Sequence, residues 1–175
     1  MKGGGGMKLK TLTRLGLLSA VALIIFMVEA QIPSPVPVPG IKLGLANIVT
    51  IFTVWVLGSW QGIAVLAVRI FLGAVFAGNF STILYSAAGG ALAILAAIGL
   101  KRILQKNQLW VAGAVGAVAH SIGQMVVAVA VTGTPGLVVY LPVMIACGIV
   151  TGLFTGLCAQ LLVNRGEGFW KTTFK

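Results

Sequence analysis

Apolar residues run through this chain in long blocks, each closed by a short group of polar, glycine or proline residues. A helix needs about 20 mostly apolar residues to cross a hydrocarbon core of about 30 Å. Six blocks approach that length, at 11–30, 43–58, 62–77, 82–100, 109–131 and 137–163. The second and third are short and are separated only by Gly58-Ser59-Trp60-Gln61-Gly62, so they are expected to tilt or to be partly shielded. The fourth closes on Lys101, Arg102 and Lys106, and the fifth on Thr132-Gly133-Thr134-Pro135-Gly136. The pattern predicts an all-α integral membrane protein with six transmembrane helices in one domain over 7–164. Residues 1–6 read as a flexible leader or cloning scar, and 165–175 as a basic cytoplasmic tail.

The longest break in this pattern runs from Glu29 to Asn47 and carries prolines at 33, 35, 37 and 39. Proline has no amide donor and its ring clashes with the preceding helical turn, so four of them exclude a helix. Non-helical backbone at membrane depth survives only where protein or a water-filled cavity supplies its hydrogen bonds. The segment is therefore expected to be an ordered loop folded over a cavity, a candidate ligand lid.

Composition agrees with the membrane reading: 59% of the 175 residues are hydrophobic, 8% are charged, and the mean hydropathy is +1.09. The net charge of +10 is explained by topology rather than by nucleic acid, because the cations fall between the apolar blocks. With the N-terminus inside, Lys2, Lys8, Lys10, Arg14, Lys101, Arg102, Lys106, Arg165, Lys171 and Lys175 are cytoplasmic and only Lys42 is outside. This asymmetry predicts N-in, C-in, with the proline loop facing outward. Glu29 and Glu167 are the only acidic residues and aspartate is absent, which excludes chemistry built on paired carboxylates or an Asp-held metal. Neither a GxxxxGK[ST] phosphate loop nor a metal-ligand motif occurs, so no cofactor is expected. Cys147 and Cys158 on one helix would lie about 16 Å apart at about 1.5 Å per residue, too far for a disulfide.

Ionisable groups are costly inside a membrane and usually face an interior site. Three fall within or beside the blocks: Glu29, Arg69 and His120. Arg69 cannot shed its proton and needs a carboxylate, a ring of carbonyls or an anionic ligand. A structural pair with Glu29 and a ligand contact both satisfy that need. Gly116, His120 and Gln124 recur at four-residue spacing and share a helix face; His120 is read either as a hydrogen-bonded interior residue or as a ligand contact. Asn47 and Thr50 lie together at the outer end of the second block, and Asn79, Ser81 and Tyr85 surround the turn after the third. Gly148, Gly152 and Gly156 form a small-xxx-small row suited to close helix contact. Gly16 and Ala20 form a similar pair on the first helix, open either to packing within the chain or to docking on a partner membrane subunit.

The run Glu29…Pro33…Pro39-Gly40-Ile41-Lys42-Leu43-Gly44-Leu45-Ala46-Asn47, then Arg69, Gly78-Asn79-Phe80-Ser81 and His120-Ser121-Ile122-Gly123-Gln124, resembles the Gx transporter family, also called heptaprenyl diphosphate synthase component I. The likeness spans nearly all of 11–163. Family members often have Asn where this chain has Ser121, which leaves the local polarity intact. That family is in turn similar to the S components of energy-coupling factor transporters. The resemblance implies an S-component-like six-helix bundle in the bacterial cytoplasmic membrane that captures a small solute from outside. It implies a first loop that caps the site and small residues of the first helix, Gly16 and Ala20 here, that dock a transmembrane coupling subunit carrying two ATPases. Arg69 is then the expected charge anchor, His120, Gln124 and Asn47 hydrogen-bond partners, and Glu29 a counter-ion or a contact to a cationic group. The family's second name points instead to an accessory membrane subunit of isoprenoid diphosphate or menaquinone metabolism. A catalytic prenyl synthase subunit is excluded, since such enzymes resemble a helical fold whose aspartate-rich motifs hold magnesium. A self-contained channel or carrier is the third class.

Overall fold

The computed structural model describes residues 9–33, 41–78 and 81–166, with the side chain of Ser81 excepted. The leader 1–6, Ser34, Pro35, Pro37, Pro39, Asn79, Glu167 and most of the basic tail lie outside the described residues, and of the expected lid only 29–33 and 41–47 lie within them.

The chain forms six α-helices: α1 (Leu9–Glu29), α2 (Asn47–Val56), α3 (Ser59–Ala77), α4 (Ser81–Leu100), α5 (Leu109–Thr132) and α6 (Leu141–Arg165). Short 3-10 turns, Lys106–Gln108 and Pro135–Tyr140, lead into α5 and α6. Five of the helices are long and apolar enough to cross a membrane, and α2, at 10 residues, is not. The protein is thus a multi-span membrane protein.

The sequence pattern extends the second block over 43–58, whereas the helix is confined to Asn47–Val56. Its bounds have a local cause. Gly44 at φ +84° and Gly58 at φ +121° hold left-handed backbone on either side of it, conformations that side chains other than glycine rarely adopt. The apolar residues Ile41 and Leu43 belong to the incoming loop, not to the helix.

α2 is the axis of the bundle and packs against all five other helices. Every residue from Val49 to Val54 is buried, as expected of a helix enclosed by neighbours on every side. Val49 joins Leu15, Ala22 and Val65; Ile51 and Phe52 join Leu109, Ala159 and Val163; Val54 joins Leu66 and Ile94. At its C-terminal end, Lys101 Nζ donates to the Val54 carbonyl at 2.5 Å, a cation on a carbonyl that the helix leaves unpaired.

α4, α5 and α6 approach closely through glycines. A Cβ on Gly152 would lie 2.5 Å from the Gly113 carbonyl oxygen, one on Gly156 2.7 Å from that of Leu109, and one on Gly123 2.6 Å from that of Ala88. The glycine row of α6 therefore makes a contact within the chain. A Cβ on Gly16, by contrast, would meet nothing within 4 Å, and Gly16 and Ala20 are both exposed on α1. Leu17, Ile24, Phe71, Leu95, Val126, Val150 and Phe154 are exposed around the bundle, the apolar exterior that lipid requires.

Candidate functional site

The end of the first loop, Ile41–Gly44, is drawn into the bundle and held at each residue. Ile41 is buried with Tyr85, Met125, Ala128 and Met144. The main chain of Lys42 meets Gln124: with the amide oriented to satisfy both ends, Gln124 donates to the Lys42 carbonyl at 2.9 Å and accepts from the Lys42 N–H at 3.2 Å and from His120 Nε2 at 3.2 Å. Thr151 Oγ1, which lies 3.0 and 3.1 Å from the Cys147 and Gly148 carbonyls of its own helix, is also within 3.4 Å of the Leu43 carbonyl. The Gly44 N–H donates to Glu29 Oε1 at 2.5 Å, and its left-handed backbone places the residue against Asn47 and His120.

Beneath this loop lie the polar residues singled out in the sequence. Glu29, Asn47, Arg69, His120 and Gln124 are all buried and come from α1, α2, α3 and α5. Their room is made by small residues on facing helices. A Cβ on Gly89 of α4 would stand 2.8 Å from His120 Nδ1 and 3.0 Å from Gln124 Cγ, and one on Gly73 of α3 would stand 2.7 Å from the Phe26 ring. Gly73 is one turn along α3 from Arg69, and Phe26 nearly one turn before Glu29 on α1.

Two residues of the cluster carry no signal in block counting. Lys42, counted above only as an outer charge, places its Nζ 3.3 Å from the centre of the Phe26 ring. Burial pushes it below the ordinary lysine value; the Glu29 carboxylate opposes that shift and the Arg69 charge adds to it. Gly44, part of the family-like run, supplies the main-chain donor to Glu29. The residues before Asn47 hold the available clue, since glycine and lysine break an otherwise apolar run there.

Electrostatically, one carboxylate faces two cations. Glu29 acts on both Lys42 and Arg69 through its charge, while its hydrogen bond goes to the loop. Arg69 Nε, both amide atoms of Asn47 and Thr50 Oγ1 are buried with no hydrogen-bond partner. Such groups are costly to leave unmade. Positive charge on Arg69 and Lys42 beside unpaired polar groups is the kind of surrounding with which an anionic group pairs. Among the described residues no three of His, Cys, Asp and Glu gather as metal ligands.

Other predicted polar positions lie apart. Ser121 Oγ turns to α6 and donates to the Met144 carbonyl at 3.4 Å, and Tyr85 belongs to the apolar cluster around Ile41. On the far side of Leu43, an open and mainly apolar groove of about 480 Å³ runs along Pro33, Leu43, Ala146, Cys147, Val150 and Thr151.

A family model described as heptaprenyl diphosphate synthase component I matches residues 18–162. No curated protein and no solved structure matches the chain.

Proposed function

Since the chain belongs to the heptaprenyl diphosphate synthase component I family, the Gx transporter family, we propose that it is a substrate-binding membrane subunit that captures a small anionic or strongly polar solute. The observation that carries this reading is two cations, the buried Arg69 and the half-buried Lys42, set against the single carboxylate of Glu29. An excess positive charge in a low-dielectric interior favours an anion. Arg69 is the charge anchor, Lys42 a second cationic contact, His120 and Gln124 orienting partners, Asn47 a further polar contact, and Glu29 the counter-ion. The protein lies in the bacterial cytoplasmic membrane N-in and C-in, and the loop opens outward.

The role is non-catalytic and works with partners. Uptake against a gradient needs ATP hydrolysis by other chains, reached through a transmembrane coupling subunit that docks on the exposed small residues Gly16 and Ala20. A second reading is favoured by the apolar groove beside Leu43, which suits an isoprenoid chain: an accessory membrane subunit of isoprenoid diphosphate or menaquinone metabolism. Gentle purification from native membranes separates the two. Co-purifying ATPase and coupling subunits support solute uptake, and a co-purifying soluble prenyl synthase supports the second reading. Uptake by the lone protein in liposomes would displace both in favour of a self-contained carrier.

A further inference from the structure

A second polar site lies below the charged cluster. Asn47, Thr50, Ala93, Gly113, Gly116 and Thr155 are among the residues that line a largely enclosed cavity of about 10 Å³, at the junction of α2, α4, α5 and α6. That is room for about one water-sized group.

The two walls differ in kind. On one, Gly116 is a glycine that helix packing does not require: a Cβ there would meet only the Ala93 carbonyl oxygen at 3.8 Å, whereas one on Gly123 would run into backbone at 2.6 Å. A glycine in a helix interior is less stable than alanine, and what Gly116 provides in return is the space itself. On the other wall stand Asn47 and Thr50, 6% and 3% exposed. Asn47 Nδ2, Asn47 Oδ1 and Thr50 Oγ1 have no hydrogen-bond partner. The third polar side chain, Thr155, already donates to the Gly152 carbonyl at 3.1 Å. The lining therefore offers one amide donor, one amide acceptor and one hydroxyl, with no charged side chain to balance an ion.

We infer that this cavity binds one uncharged hydroxyl-sized group, an ordered water or a hydroxyl of the solute, bridging Asn47 and Thr50. Such a group both donates and accepts, which matches the mixed lining and its volume. The inference shares Asn47 with the anion reading, but it concerns a neutral guest and is read from the stability of the protein itself, so the failure of one is distinguishable from the failure of the other.

The test compares thermal midpoints of the full chain in detergent for Gly116→Ala and Gly116→Ser. Both fill the space, but only serine carries a hydroxyl that replaces the displaced group. The expected order places serine above alanine, opposite to their helix propensities. An alanine variant at least as stable as the serine variant overturns the inference. Should neither fold, Thr50→Val decides. A lower midpoint than wild type supports a bridged hydroxyl, and an equal or higher one overturns it, because valine then merely removes an unpaired group. Native mass spectrometry separates the sources. A small molecule retained by wild type and lost from Gly116→Ala assigns the guest to a solute, and the serine-over-alanine order in protein free of small molecules assigns it to water.

Discussion

The Gly44 N–H and the Glu29 carboxylate are joined by a 2.5 Å hydrogen bond across 15 residues of sequence, tying the end of α1 to the loop before α2. Removing the acceptor leaves a buried donor unpaired, a loss of about 1–3 kcal/mol. Glu29→Ala should lower the unfolding free energy of the detergent-solubilised protein by that amount, and Glu29→Gln, which keeps an acceptor, by less. An alanine variant that unfolds with wild type would remove this bond from the account of the loop.

Arg69→Gln should weaken retention of an anionic solute by about 1.5–3 kcal/mol, the range of a hydrogen bond to a charged group. Arg69→Lys should fail to restore it where a planar fork is read, and His120→Ala should cost less, since its bond is neutral. The measurement is the solute-bound fraction in native mass spectra of folded, monodisperse protein. If Arg69→Gln binds normally while Glu29→Gln destabilises the fold, the charges form a structural group and the solute site lies elsewhere.

Lys42 and Phe26 should couple. The ammonium over the ring predicts that Lys42→Met and Phe26→Leu are non-additive in stability by about 0.5–2 kcal/mol. Strict additivity in a double-mutant cycle would reduce the contact to simple proximity.

These residues mark where sequence reading succeeds and where it stops. Five helices are legible because block length alone distinguishes a membrane-crossing helix. The second block is recognisable but comes out too long, since Leu43, Leu45 and Ala46 are apolar residues of the incoming loop, and hydropathy does not separate an apolar loop from an apolar helix. Glu29, Arg69 and His120 stand out because charge is expensive in lipid. Lys42 does not, because its position between blocks is equally that of a topogenic surface charge and only the fold brings it onto Phe26. Gly44 acts through its backbone, which leaves almost no trace in a polar or apolar pattern.

The cap on α2 predicts that Lys101→Met lowers stability by about 1–2 kcal/mol, through the lost bond to the Val54 carbonyl. Arg102→Met, altering the neighbouring cation, should have a smaller effect. Equal midpoints for the two would show that the charge, not the bond, matters.

Small residues on α1 and α6 should behave oppositely. Gly152→Ala drives a methyl onto the Gly113 carbonyl and should destabilise the fold by about 1–3 kcal/mol or more. Gly16→Leu and Ala20→Leu should leave the melting curve and solute affinity intact while abolishing uptake in cells. Unchanged uptake in both α1 variants would exclude this surface from docking.

The shortness of α2 has an electrical consequence. Its 10 residues rise about 15 Å at 1.5 Å per residue, half of a hydrocarbon core of about 30 Å. One end is fastened to Lys101, beyond α4, and the other presents Asn47 to the cluster of Lys42, Arg69 and Glu29. A charge at that cluster has traversed about half of the membrane voltage. A full crossing is worth about 2.3 kcal/mol per charge at 100 mV, so arrival of a monoanion at Arg69 should exchange about 1 kcal/mol with the field. In vesicles held at a set potential, its affinity should change several-fold per 100 mV. For a loop that faces outward, an interior-negative voltage weakens binding, and for one that faces inward it strengthens binding, so the sign of that change reports the side from which the solute enters.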